Sequence, residues 1–89
     1  MIKHLNIKVY GLVQGVFFRA TAKEQADKLG ITGFARNEPD NTVYIEAEGE
    51  ENQLNKFIKW CNIGPSMAQV EKVIVTEDNL KSFKKFEVY

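Results

Sequence analysis

Within the first thirty residues the hydrophobic period changes from two to about 3.6 across a loop punctuated by two glycines, and this switch constrains the fold more than any other feature of the chain. In residues 2 to 10, Leu5, Ile7 and Val9 fall on one side and His4, Asn6, Lys8 and Tyr10 on the other, the alternation of a half-buried strand. Gly11-Leu12-Val13-Gln14-Gly15-Val16 follows as a short loop. From about Phe18 to Leu29 the apolar positions Phe18, Ala22, Ala26 and Leu29 recur at helical spacing, and Gly30 supplies a stop with Lys28 in the last turn.

The same reading carries on down the chain. Residues 31 to 37 and 42 to 48 form two strands joined by Glu38-Pro39-Asp40-Asn41, a hairpin loop in which Asn41 accepts a positive φ almost as readily as Gly. Val43, Ile45 and Ala47 point inward, leaving Tyr44, Glu46 and Glu48 outward. A second helix is predicted from about Glu50 to Cys61, with Leu54, Phe57, Ile58 and Cys61 on one stripe and acidic residues in its first turn. Gly64-Pro65 ends it. Residues 68 to 77 form a further strand whose apolar parity shifts between Val70 and Val73, which predicts a bulge near Glu71 and Lys72. A last short strand runs from Phe83 to Val88.

Strand, helix, strand, strand, helix, strand, plus one strand at the C-terminus, is the α+β ferredoxin-like or split βαβ sandwich: a mostly antiparallel sheet of about five strands with two helices on one face. Right-handed crossovers put the first and third strands side by side in its centre. The whole chain, 1–89, reads as one domain, and its length suffices for one core without a metal or disulfide staple.

Charge and cysteine usage narrow the function. Lys and Arg number 12 against 12 Asp and Glu, a balance that argues against nucleic-acid backbone binding. No apolar run reaches the length of a membrane span. The single Cys61 has no internal partner, and no apolar secretory core follows Met1, so a cytoplasmic location is expected. Only Arg19 and Arg36 among the basic residues are Arg, so each planar, permanently charged side chain matters.

Arg19 falls in the first turn of the first predicted helix, directly after the glycine loop. Amides at a helix N-terminus lack carbonyl partners, and Gly11 and Gly15 allow several to converge into an anion-binding nest. A guanidinium beside them can grip two phosphate oxygens, whereas the helix dipole opposes an unpaired cation there by roughly 0.3–1 kcal/mol. Taken alone, the residues are equally compatible with an ordinary glycine turn and a solvated Arg19. No Gly-Lys-Ser or Gly-Lys-Thr is present, so the loop is not a Walker motif.

Gly11-Leu12-Val13-Gln14-Gly15-Val16-Phe17-Phe18-Arg19 resembles the acylphosphatase signature Gly-x-Val-Gln-Gly-Val-x-Phe-Arg at every defined position. Gly33-Phe34-Ala35-Arg36-Asn37, with Asp40-Asn41 and Val43, resembles the second motif of that family, departing from it only in Asn41 for the usual Gly. Gly49-Glu50, Gly64-Pro65, Ala68, Val70 and Phe86-Glu87-Val88 also fall where the family has them, so the similarity covers nearly the whole chain. The resemblance implies hydrolysis of acyl phosphates to carboxylate and inorganic phosphate. It implies that Arg19 binds phosphate together with the amides of Gln14, Gly15, Val16, Phe17 and Phe18, that Asn37 holds the attacking water, and that no metal or organic cofactor takes part.

The chemistry is compatible with so spare a site. Phosphoryl transfer depends on positioning and preorganised donors, and a departing carboxylate is already a weak base that needs no general acid. The other polar and reactive residues read as structural. His4 lies on the polar side of an edge-prone strand, Cys61 belongs to the core, Trp60 covers a sheet edge or helix surface, and Arg36 points away from the face of Asn37. Phe18 belongs to the buried stripe of the helix, while Phe17 can wall the pocket. The acidic run Glu46, Glu48, Glu50, Glu51 reads as a solvated face. The expected protein is a monomer acting on a small acyl phosphate, with no nucleic-acid or membrane partner. Two rivals are a phosphate-binding module without turnover and an RNA-binding domain of the same strand order. The latter would present Tyr10 and Tyr44 on an open sheet face, but on a chain with no positive surplus.

Overall fold

The first strand occupies an interior position because its Leu5, Ile7 and Val9 face is matched on both sides by apolar strands. The computed structural model describes residues 1–89 as β1 (Ile2–Leu12), α1 (Phe18–Leu29), β2 (Thr32–Asn37), β3 (Val43–Glu50), α2 (Glu51–Cys61), β4 (Gln69–Asp78) and β5 (Phe86–Val88). The strands form one sheet in the order β4-β1-β3-β2-β5, antiparallel except for the parallel pair β2 and β5. This is the ferredoxin-like arrangement, and β1 and β3 lie side by side as the crossover rule requires.

Both helices cover one face of the sheet. Ile7, Val9, Val43 and Ile45 meet Phe18, Ala22 and Ala26 of α1 and Leu54, Phe57 and Cys61 of α2 in a continuous core closed by Phe86. Trp60 is no sheet-edge cover; its ring lies 5.0 Å from that of Phe18 and 6.1 Å from that of Phe57, binding one helix to the other. Gly30 caps α1, its N–H reaching the carbonyls of Ala26 and Asp27. Tyr10 pairs with Lys72 and Gly11 with Val70, so Glu71 is the extra residue of the bulge that the shift in parity foretells. In the β2–β3 hairpin Asn41 has φ 72°, and Asp40 accepts from the backbone N–H and the hydroxyl of Thr42. Those bonds, with the Lys8 ammonium 2.9 Å away, hold the Asp40 carboxyl down at about 2.

One expectation about the opposite face fails. Since β4 and β5 occupy opposite edges, residues 79–85 must cross the sheet, and they cross the face that the helices leave free. Phe83 lies against the rings of His4, at 5.7 Å, and Phe34, at 5.8 Å. The Lys81 amide donates to Glu48 and its ammonium to Glu46. Glu46 and Glu48 are therefore buried rather than solvated, and His4, between them at 2.8 and 3.0 Å, is wholly buried on an interior strand rather than at an edge.

Candidate active site

The site grows from the turn between β1 and α1. Gly15 has φ 73° and Phe17 φ 65°, two left-handed residues flanking Val16, so the chain turns its N–H groups inward between the strand and the helix. The amides of Gln14, Gly15, Val16 and Phe17 donate to no backbone carbonyl of the chain, and that of Phe18 opens the helix, where no preceding turn supplies an acceptor. The Phe17 carbonyl, by contrast, is doubly held by the amide and the hydroxyl of Thr21, at 3.0 and 2.8 Å, which pins the left-handed turn to the first helical turn.

Arg19 follows at once, half-buried, with Nη1 donating to the Tyr89 carbonyl. A cleft of about 270 Å³ opens between these elements, lined by Val13, Gly15, Phe17, Phe18, Arg19, Ala20 and Val88. Phe17 is the exposed wall the sequence suggests, while Phe18 turns into the core. The contribution of Val88 was not legible in the chain order. It arises because β5 runs parallel to β2, with Val88 opposite Ala35, and brings the C-terminal segment over the first turn of α1.

Asn37 does not line that cleft, and neither do Gln14 and Val16. It ends β2 in register with Val43, which in turn pairs with Val9, so a single row across the sheet joins Asn37 to the strand that feeds the loop. Strand alternation puts its side chain on the helix-covered face with Gly33 and Ala35. There it is exposed and takes part in no hydrogen bond of the protein. Arg36 points to the other face, pairs with Glu38 at 3.0 Å and lies over the rings of Phe34 and Tyr44. Neither His4, on the far face, nor Cys61 adds a nucleophile or base. Burial pushes the Cys61 thiol up and keeps it protonated.

An α+β sandwich with an amide cradle and one Arg at the N-terminus of its first helix defines a small anion-handling domain. Comparison with known proteins makes this specific. The acylphosphatase family model matches residues 5–88, and the chain belongs to that family. It is 45% identical over 82 residues to an acylphosphatase of Nocardioides sp., covering 89% of this chain and 83% of the relative. Against an acylphosphatase of Ligilactobacillus salivarius it is 43% identical over 88 residues, 98% of each chain. The crystal structure of acylphosphatase from Bacillus subtilis superposes with a TM-score of 0.95 at 36% identity, covering 100% of this chain and 99% of that one. The protein is an enzyme that hydrolyses small acyl phosphates.

Proposed function

We propose that hydrolysis proceeds by direct attack of one water on phosphorus, without metal or organic cofactor, with the transferred phosphoryl group held by Arg19 and the amides of Gln14, Gly15, Val16, Phe17 and Phe18. The observation that carries this reading is the run of amides without carbonyl partners directly before the guanidinium, with Gly15, Phe17 and Phe18 lining the same cleft as Arg19. Charge spreads over three equatorial oxygens in the transition state, and fixed donors stabilise it without reorganising. Asn37 holds the attacking water through its free side-chain amide. An amide cannot take a proton, so a phosphate oxygen of the substrate accepts it as the P–O bond to the acyl group breaks and the carboxylate departs.

The enzyme acts as a single domain over 1–89, and as a monomer. The charged residues along edge strand β4 and the three-residue length of β5 support this, since both discourage edge-to-edge pairing. The balanced charge and the crossing of the second sheet face by Phe83 weigh against RNA stacking on that face. No helix is long and apolar enough to cross a membrane. An unpaired, buried Cys61 supports a reducing, cytoplasmic setting.

Hydrolysis of acetyl phosphate in excess chelator, beside a phosphate monoester, tests the mechanism. Arg19→Gln is expected to weaken inhibition by inorganic phosphate and to lower kcat/KM together, while Asn37→Ala keeps phosphate affinity within a few-fold and loses roughly 100-fold or more in kcat. Full activity in both variants, or activity abolished by the chelator, refutes it.

A further inference from the structure

Besides contributing its backbone amide to the cradle, Gln14 sends its side chain across to the hairpin that carries Asn37. Nε2 donates to the carbonyls of Glu38 and Thr42, both at 2.9 Å. One residue follows Asn37 directly and the other precedes Val43, its cross-strand partner. These carbonyls also receive the amides that close the turn, Glu38 N–H onto Thr42 at 2.9 Å and Asn41 N–H onto Glu38 at 3.1 Å. The two hydrogens of a primary amide match the two remaining acceptor positions, and a carboxylate of the same shape cannot donate to either.

We infer that the Gln14 side chain is a positioning residue, setting the distance between the phosphate cradle and the water-holding Asn37. The two halves of the site stand on separate elements, β1 with its loop and the β2–β3 hairpin, and this amide is the side-chain hydrogen bond that ties the loop to the hairpin. A water misplaced by about 1 Å costs on the order of 100-fold in rate. The inference rests on the roles proposed for Arg19 and Asn37, and predicts that Gln14 governs turnover rather than binding.

The test pairs Gln14→Glu, which keeps the shape and removes the donors, with Gln14→Met, which removes them without adding charge. In each, kcat for acetyl phosphate should fall roughly 10- to 100-fold, and in Gln14→Met, which adds no charge beside the cradle, inhibition by inorganic phosphate should stay within about threefold. Added to Asn37→Ala, either substitution should cost less than about twofold more, because the residue being positioned is gone. Unchanged kcat, a parallel loss of phosphate affinity in Gln14→Met, or full multiplication of the two costs overturns the inference. NMR reads the same coupling without turnover: in Gln14→Met the Asn37 side-chain amide should shift while phosphate titrates the Gly15 to Phe18 amides as in the parent. Unmoved Asn37 resonances overturn the positioning role, whereas a parent protein inactive on acetyl phosphate overturns the hydrolytic mechanism instead.

Discussion

Phe17 is a bulky residue held at φ 65°, and the cradle depends on that backbone conformation, so replacing it by Gly and by Ala separates the backbone strain from the ring. Both variants lose the same aromatic contacts, and the loss is small. The residue is 72% exposed, so about a quarter of the roughly 1.5–3 kcal/mol that full burial of such a side chain yields is at stake, under about 1 kcal/mol. Ala keeps the left-handed penalty of roughly 1–2 kcal/mol. Gly escapes it but carries the greater freedom of its unfolded chain, which costs roughly 0.4–1 kcal/mol. The difference leaves Phe17→Gly more stable than Phe17→Ala by about 0.8 kcal/mol. In a domain of this size that is about 3–6 °C in Tm, within reach of calorimetry and of urea titration. Glu24, exposed within α1, serves as the control, since Gly there should be less stable than Ala by roughly 1 kcal/mol. If Ala proves the more stable residue at both positions, the left-handed turn at 17 carries no strain. The cradle would then not be held against a backbone preference by the Thr21 bonds to the Phe17 carbonyl.

Gly33→Ala should cost more than about 3 kcal/mol or prevent folding, because the added Cβ would fall 1.9 Å from the Glu46 carbonyl oxygen across the β2–β3 ladder; circular dichroism and urea melts check it. Stability should fall on the acid side. Burial alone would raise the Glu46 and Glu48 carboxyls, but hydrogen bonds from Lys81 and Tyr44 to the first, from the Lys81 and Ser82 amides to the second, and the His4 ring between the two outweigh it and hold both below the ordinary 4.5. As pH drops below about 4.5 the unfolded chain takes up these protons first, so the stabilisation present above that value is lost until the folded carboxyls also protonate. Lys81→Met, which removes the ammonium that donates to Glu46, should make this loss shallower in urea melts between pH 7 and 3.

The helices and the first four strands were legible because their hydrophobic periods are clean, whereas the last strand begins at Phe86 rather than Phe83, which instead lies in the crossing segment against His4 and Phe34. Phe18, Ala22 and Ala26 on α1 and the alternation of Leu5, Ile7 and Val9 on β1 place the core almost residue by residue. Even the bulge at Glu71 could be read, since a shift in parity within one strand has few other causes. Glu46, Glu48 and His4 were misplaced because alternation separates the two faces of a strand but is blind to what later covers each face. Their burial depends on β4 and β5 lying at opposite edges, which sends residues 79–85 back across the sheet. Local pattern carries no record of a crossing made thirty or more residues downstream. A His between two outward carboxylates on a neighbouring strand was a visible signal, though it needed the register to become one.

The candidate site divides along the same line. Its cradle is local: the glycine, the left-handed turn and the Arg lie within nine consecutive residues, from Gly11 to Arg19, and the conformation that aims the amides is largely dictated by those residues themselves. Its other half is not. Asn37 reaches the same end of the sheet only through the Val9–Val43–Asn37 row, and Val88 joins the cleft only through a parallel pairing at the far edge. A sequence motif can therefore point to Arg19 and Asn37 without explaining how the two could serve one substrate in the proposed mechanism. What sets both at one end of the sheet is a topology that puts β1 next to β3 and β3 next to β2, with the Gln14 amide as the side-chain hydrogen bond between loop and hairpin. That division has a consequence for substitutions. Changes to the loop backbone or to Arg19 should act first on phosphate affinity, whereas changes along the row and to the Gln14 side chain should act first on turnover.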